Sequence, residues 1–342
     1  MSASNMDELQ QSLKRYKEKK ERFRSFIDEA AVAVEKFDAQ FPPEARQENA
    51  APASRAKIFH DLSGKIANSR LKILVAGEFK RGKSTLINAL LGEEVLPAYS
   101  TPCTAVITEI LYGAEKRAVL TFKQQIGPLP AGTDPKVVKH VGNRQSNIPD
   151  MVVDCADLGN ELESYLVIPE NEEDKEQSES VAESPYACCR LFWPLELCRN
   201  DVEIIDSPGL NEATVRDETT YTYVPQADMV LHVLNATQLF GKADKEFVDK
   251  VEKLHAPLFF LVNRLDQLNT ERDREQIRSR ALKELPARTP YGQDGIFFLS
   301  AYKALEARME HDGDAYTASG FVNFERKLAE VVERDRLRIK FA

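Results

Sequence analysis

Two patterns of hydrophobic and polar positions alternate along the chain. Near the start, apolar residues recur at steps of four and three from Leu9 to Phe37, once Lys20 is allowed one position of the series. Such a stripe predicts a long helix, which Pro42 and Pro43 would end, and a second helical stretch runs to about Ser69. A similar stripe from Phe321 to Ile339 predicts a helix that reaches almost to the C-terminus.

The two terminal stripes are expected to pack on each other. Two amphipathic helices alone leave part of each stripe in water, so a third helix would complete a bundle. That helix would come from a C-terminal region outside this sequence or from another chain. The predicted organisation is therefore N-terminal helices over residues 1–68, a central domain over 69–312 and a C-terminal helix over 313–342.

Between the terminal helices, short apolar runs alternate with amphipathic segments of helical length. This alternation is typical of a parallel sheet covered on both faces. The predicted strands are Leu71–Ala76, Thr104–Tyr112, Arg117–Phe122, Cys189–Trp193, Val202–Asp206, Met229–Asn235, Leu258–Asn263 and Ile296–Ser300. Helices are expected to begin near Gly82, Lys242, Thr270 and Ala301, and residues 124–152 are expected to form a loop. The fold class is thus α/β and doubly wound.

Composition narrows the class of protein. The 342 residues are 42% hydrophobic and 30% charged, which indicates a globular protein. The net charge of −9 says little about partners, because residues 170–183 alone carry seven acidic side chains and one lysine, the pattern of a solvated loop. A polar N-terminus and the lack of a long apolar run predict a cytoplasmic location. Five cysteines without CxxC spacing predict reduced thiols.

A phosphate-binding motif follows the first predicted strand. GEFKRGKS matches GxxxxGK[ST] and stands between a strand and a helix, as this motif requires. Glycines let the backbone amides face phosphate oxygens, and the helix N-terminus adds a favourable dipole. Lys83 is expected to reach the β- and γ-phosphates, and Ser84 to bind Mg²⁺. The predicted phosphate-binding residues are Gly77, Glu78, Phe79, Lys80, Arg81, Gly82, Lys83, Ser84 and Thr85.

Two further segments are expected to complete the magnesium and γ-phosphate contacts. DSPG places Asp206 at a strand end, where it would hold Mg²⁺ through water, and Gly209 where its amide would sense the γ-phosphate. In TPCT, either Thr101 or Thr104 could complete the magnesium shell; Thr104 is preferred because it immediately precedes a predicted strand, the alternative being a β-former that only opens that strand. The predicted metal site is therefore Ser84, Thr104 and Asp206.

The next motifs favour GTP over ATP. In NRLD, Asp266 would accept hydrogen bonds from guanine N1 and N2, Asn263 would brace the loop, and the stem of Arg264 would lie over the base in place of the usual lysine. Ser300 and Ala301 follow the last strand, where a backbone amide would meet guanine O6. Each motif is weak alone, but their order at successive strand ends indicates a guanine nucleotide.

These motifs resemble the dynamin superfamily, and most closely the bacterial dynamin-like proteins. The resemblance spans residues 71–307 and is carried by GEFKRGKSTLINALLGEEVLP, TPCTAVITEI, VEIIDSPGLN and FFLVNRLDQ. It implies an enlarged, dynamin-type P-loop GTPase domain, flanked by helices of a neck or bundle. It further implies hydrolysis of GTP to GDP, dimerisation of GTPase domains, self-assembly and membrane remodelling by fusion or fission.

The chain departs from that family in ways that limit the expectation. A long stalk and a lipid-binding tip do not fit within 342 residues, so membrane lipid would be met peripherally, through regions outside this sequence. Leu210 stands where small GTPases have a catalytic glutamine. Lys80 stands where guanylate-binding and atlastin-like GTPases keep an arginine finger, with Arg81 beside it. Either could be the catalytic cation, with a slight preference for Lys80, and both could be solvated.

Two other functions stay open on the sequence. A regulatory switch GTPase of the translation or ribosome-assembly class would need a basic surface for RNA, and at a pI of about 5.3 we expect no nucleic-acid partner. A scaffold that binds GTP without turnover would keep the same motifs. Hydrolysis stimulated by a second copy of the chain is the preferred expectation.

Overall fold

The structure, a computed structural model, describes residues 3–40, 52–68, 70–78, 80–97, 106–129, 133–154, 162, 184–207, 223–253 and 257–341. It divides into two compact units. One is Leu71–Lys327, and the other joins Ser2–Arg70 with Leu328–Ala342.

The helical unit contains α1 (Ala3–Asp38) and α2 (Pro52–Asn68). Lys20 is only 4% exposed, and its Nζ donates to the Ala67 carbonyl at 2.9 Å. That carbonyl lies in the last turn of α2, where the helix dipole favours a cation. The buried position predicted for Lys20 in the apolar stripe is thus confirmed, whereas packing of the two terminal stripes on each other stays a prediction.

Within the described residues, the second unit is built on nine strands. In chain order these are β1 Leu71–Ala76, β2 Thr108–Tyr112, β3 Arg117–Phe122, β4 Met151–Asp154, β5 Tyr186–Trp193, β6 Val202–Asp206, β7 Met229–Asn235, β8 Leu258–Asn263 and β9 Ile296–Phe298. Their order across the sheet is β4-β3-β5-β2-β6-β1-β7-β8-β9. The described helices that follow β1 in the chain are α3 Lys83–Leu91, α4 Pro135–Val141, α5 Lys242–Lys253, α6 Glu271–Glu284, α7 Ala301–Met309, α8 Gly313–Ala318 and α9 Phe321–Phe341; of α9, only the first seven residues belong to this unit.

The sheet is mixed, so the prediction of a parallel sheet was wrong for one half. Strands β6, β1, β7, β8 and β9 are parallel, but β2 runs antiparallel to β6, and β3 runs antiparallel to both β5 and β4. The burial of β3 alternates along the strand, as in a sheet with one better covered face. The parallel half is apolar on both faces, and β8 is buried throughout.

The loop predicted over residues 124–152 is interrupted by α4, and β4 begins at its end. Asp134 caps α4 by accepting from the Lys136 amide at 2.7 Å, and Pro135 occupies the first turn, so two local helix signals were present. The strand β4 has four residues and lies at the sheet edge, too short to leave a periodic pattern. Among the other strands the differences are in the ends: β2 begins at Thr108, β5 begins at Tyr186 and β9 ends at Phe298.

Parallel strands place the predicted motifs at one edge. Carboxyl ends of β1, β6, β8 and β9 point the same way, so the segments that follow them meet at the same side of the sheet. Fully buried side chains such as Ile73, Phe247 and Phe260 hold these strands and helices in place.

The turn between α8 and α9 depends on a glycine. Gly320 has φ +81°, and a Cβ there would lie 2.3 Å from the Phe298 carbonyl oxygen. Both the backbone conformation and the space therefore exclude a side chain.

We expect Gly320→Ala to lower the free energy of unfolding of this unit by about 3 kcal/mol, from backbone strain and overpacking. Urea denaturation followed by circular dichroism measures the change. Gly313→Ala is the matched control, because no atom lies within 4 Å of its Cβ position. Equal midpoints for the two variants would contradict the argument.

Candidate nucleotide-binding site

The segment between β1 and α3 curves closely against two neighbouring strands. A Cβ on Gly77, which has φ +150°, would lie 2.5 Å from the Val233 carbonyl oxygen. A Cβ on Gly82, which has φ +90°, would lie 2.5 Å from Asn263 Nδ2. The two glycines are therefore required where the loop touches β7 and β8, as the P-loop motif predicts.

Lys83 reaches back across this loop. Its side chain is 8% exposed, and its Nζ donates to the carbonyls of Gly77 at 3.0 Å and Glu78 at 3.2 Å. The ammonium is therefore held against the loop by two of the loop's own carbonyls. Thr85 follows in α3, while Phe79 lies outside the described residues.

An oxygen-rich pair lies beside the loop. Ser84, in the first turn of α3, donates through Oγ to Asp206 Oδ2 at 3.4 Å, and Asp206 is 2% exposed at the end of β6. Hydroxyl and carboxylate oxygens are the donors that Mg²⁺ prefers, so these residues fit that ion. Thr104 and Gly209, predicted for the same ion and the γ-phosphate, lie outside the described residues.

Asn263 joins the two ends of the site. It is 3% exposed, its Nδ2 donates to the Arg81 carbonyl at 2.9 Å, and its Oδ1 accepts from the Ala301 amide at 2.9 Å. The bracing role predicted for Asn263 thus has a geometric basis. The Ala301 amide, one candidate donor to guanine O6, already donates its hydrogen to Asn263 Oδ1.

Asp266 lies at the open side of the same cluster. Its carboxylate accepts a hydrogen bond from Ser300 Oγ, and its side chain is exposed. Arg264 takes the left-handed backbone conformation at φ +67° and turns the chain between Asn263 and Asp266. The structure therefore brings together the residues that sequence patterns predicted for guanine.

The two candidate cations differ sharply. Lys80 is exposed at φ +61°, whereas Arg81 is 4% exposed, so the solvated interpretation of Arg81 is wrong. The guanidinium of Arg81 contacts Glu78, donates to the Gln238 carbonyl at 2.9 Å, and lies 3.4 Å from Asp244. Burial lowers the pKa of Arg81, and the Asp244 carboxylate opposes that shift.

Sequence reasoning missed Asp244. It lies in the first turn of α5, on the side of the helix that also carries Phe247, Val248 and Val251, all buried. A carboxylate on an apolar helix face was the available signal, since such a group needs a buried partner.

Comparison with known proteins indicates the family of this chain. The sequence profile of the dynamin family matches residues 73–265. A bacterial dynamin-like protein of Nostoc punctiforme (strain ATCC 29133 / PCC 73102) is 29% identical over 284 residues, covering 78% of this chain and 37% of that protein. The transmembrane GTPase Marf of Drosophila melanogaster is 26% identical over 303 residues, covering 81% of this chain and 33% of Marf. The chain thus spans about a third of the length of either relative.

Solved structures agree on the fold. One described as an oligomerised bacterial dynamin pair, with a mechanism for long-range sensing and tethering of membranes, has a TM-score of 0.56 at 18% identity. The match covers 92% of this chain and 54% of that chain. The expected enlarged P-loop fold is therefore confirmed.

Within the described residues, no helix has both the length and the apolar character needed to cross a membrane. The family match covers more than half of the chain and contains the P-loop, Asp206 and Asn263. As its motifs predicted, the chain belongs to the dynamin family, whose GTPase domain it carries.

Proposed function

We propose that this chain hydrolyses GTP to GDP and phosphate with Mg²⁺, and that a second copy of its GTPase domain accelerates the reaction. We also propose that the complete protein remodels membranes. The observation that carries the proposal is the double hydrogen bond of Asn263, to Arg81 and to Ala301, because it couples a phosphate loop to a guanine-type loop. The names of the relatives, a dynamin-like protein and a transmembrane GTPase, support the membrane role.

The phosphate end would work by preorganisation. Gly77 and Gly82 let the loop backbone turn its amides inward, and Lys83 is already positioned over the loop by two carbonyls. Charged groups that need not move on binding stabilise developing negative charge most effectively. Mg²⁺ held by Ser84 and Asp206 would neutralise charge on the β- and γ-phosphates.

The cis cation is assigned to Lys80. Arg81 is engaged by Glu78, Asp244 and Gln238, so its guanidinium has acceptors within the protein. Lys80 is exposed on the same loop, where a cation can approach the bridging oxygen. Thr104 remains the proposed switch threonine.

A facing copy would close the site. Closure excludes water and fixes the loops around the γ-phosphate, which raises the rate of hydrolysis. The proposed partners are therefore a second copy of the chain and, through regions outside this sequence, a lipid surface. Cytoplasmic location with peripheral membrane association is part of the same proposal.

Lys83→Ala is expected to weaken GTP binding at least about 100-fold, since a charge-assisted contact to phosphate is lost. Titration with a fluorescent GTP analogue measures the affinity. Lys253→Ala, an exposed position at the end of α5, is the control. GTP affinity retained in Lys83→Ala would refute the P-loop assignment.

Asp266→Asn is expected to reduce the preference for GTP over ATP by about tenfold or more, because an amide replaces one acceptor oxygen by a donor. Competition of GTP and ATP against the fluorescent analogue gives the ratio. Asp294→Asn provides the same chemical change at an exposed position that pairs with Lys327. An unchanged ratio in Asp266→Asn would remove Asp266 from base recognition.

Specific GTPase activity is expected to rise with protein concentration and then reach a plateau, because two domains must meet. Phosphate release measured over a wide concentration range tests this. A flat line would favour a regulatory switch GTPase, and no turnover would favour a scaffold.

In Lys80→Ala the plateau of specific GTPase activity should fall about 10³-fold with GTP affinity retained. An unchanged plateau would exclude Lys80 as the cis cation.

A further inference from the structure

Arg81 is fixed from both its side chain and its backbone. The guanidinium contacts Glu78, Gln238 and Asp244, while the Arg81 carbonyl accepts from Asn263 at 2.9 Å. The next residue, Gly82, begins the turn into α3. A residue held on two sides sets the course of the loop around it, so the anchors of Arg81 determine the shape of the P-loop.

The deepest of these anchors is Asp244. It is 0% exposed, its Oδ2 accepts from the Gly241 amide at 2.9 Å, and its Oδ1 lies 3.0 Å from His232 Nε2. It stands in the first turn of α5, where the helix dipole stabilises an anion. Burial opposes ionisation, but the hydrogen bond from His232 and the charge of Arg81 hold the pKa of Asp244 below its usual value.

His232 is held against this carboxylate by the aromatic side chains around its ring. Its ring stacks on Phe247 at 5.0 Å and meets Phe260 edge-on at 6.1 Å. Because Asp244 is an acceptor, Nε2 carries the donated proton. His232 also pairs in the sheet with Ala76, the residue immediately before the P-loop. The histidine is therefore rigid and adjacent to the start of the loop.

We propose that His232 and Asp244 are a positioning pair that acts through Arg81 to hold the P-loop in its phosphate-binding shape. Both side chains are fully buried, so neither contacts the nucleotide, and neither is a catalytic residue. This inference rests on the proposed binding of GTP phosphates by residues 77–84. In this proposal His232 of β7 is a positioning residue of the nucleotide site and not only a core residue.

His232→Leu and His232→Gln provide the first test. Leucine removes the donor, whereas the amide of glutamine restores a donor close to the position of Nε2. We expect His232→Leu to weaken binding of the fluorescent GTP analogue by roughly tenfold or more, the range typical of residues that orient a binding group, and His232→Gln to recover most of it. Unchanged affinity in folded His232→Leu, or equal losses in both variants, would overturn the proposal.

A double-mutant cycle asks whether Asp244 acts through Arg81. The variants are Asp244→Asn, Arg81→Met and the two combined. If the carboxylate works by holding the guanidinium, the combined variant binds the GTP analogue no more weakly than Arg81→Met alone. Losses that multiply would show that Asp244 acts elsewhere and would reject the mechanism. If Asp244→Asn does not fold, the two His232 variants decide the question.

Two controls separate the possible failures. Asp249→Asn makes the same change on the exposed side of α5, where the carboxylate pairs with Arg288, and should leave affinity unchanged. Lys83→Ala, measured alongside, tests the proposed function itself. Normal GTP binding in Lys83→Ala would reject that function, whereas loss of binding there with normal binding in His232→Leu would reject only the positioning pair.

Discussion

The carboxamide of Asn263 fixes the separation between the P-loop and the start of α7. Its donor nitrogen binds the P-loop at Arg81, and its acceptor oxygen binds the start of α7 at Ala301. A buried side-chain amide that is satisfied at both ends is costly to disturb, since either bond lost leaves a polar group without compensation. The loops after β1, β8 and β9 are therefore held as one surface rather than as three independent turns.

Beneath that surface, buried charged side chains contact the P-loop. A glycine-rich loop has many accessible conformations, and one chosen conformation has to be enforced from outside it. Here Arg81 provides the contact, with Glu78 from the loop itself and Asp244 from α5. A buried ion pair contributes less to stability than an apolar core of similar volume would. Its presence here therefore fits a role in specifying the shape of the P-loop.

Motif order and apolar runs predicted the parallel half of the sheet and the cluster of Lys83, Asp206, Asn263 and Asp266, because each of these features is local in sequence. The antiparallel half was not predictable in the same way. The direction of β2 and β3 depends on which strands they meet, and β5, which lies between them, is distant in sequence. Likewise, Asp244 and His232 are 163 and 151 positions from Arg81, so no periodic pattern in the sequence could predict that they lie near it. The position of Asp244 among apolar residues of a helix was a local sign only that its carboxylate needs a buried partner.

The enlarged half of the domain is nonetheless tied to the nucleotide site through the far end of α3. Helix ends leave carbonyls without intrahelical partners, and at the end of α3 two of these carbonyls accept hydrogen bonds from side chains. Trp193, at the end of β5, donates to the Leu91 carbonyl at 3.2 Å, and Arg308 of α7 donates to the Leu90 carbonyl at 3.1 Å. Since α3 begins at the P-loop lysine, a shift of the loop along the helix axis would strain both bonds. The P-loop is thus contacted within its length at Arg81 and is followed by a helix whose far end is anchored.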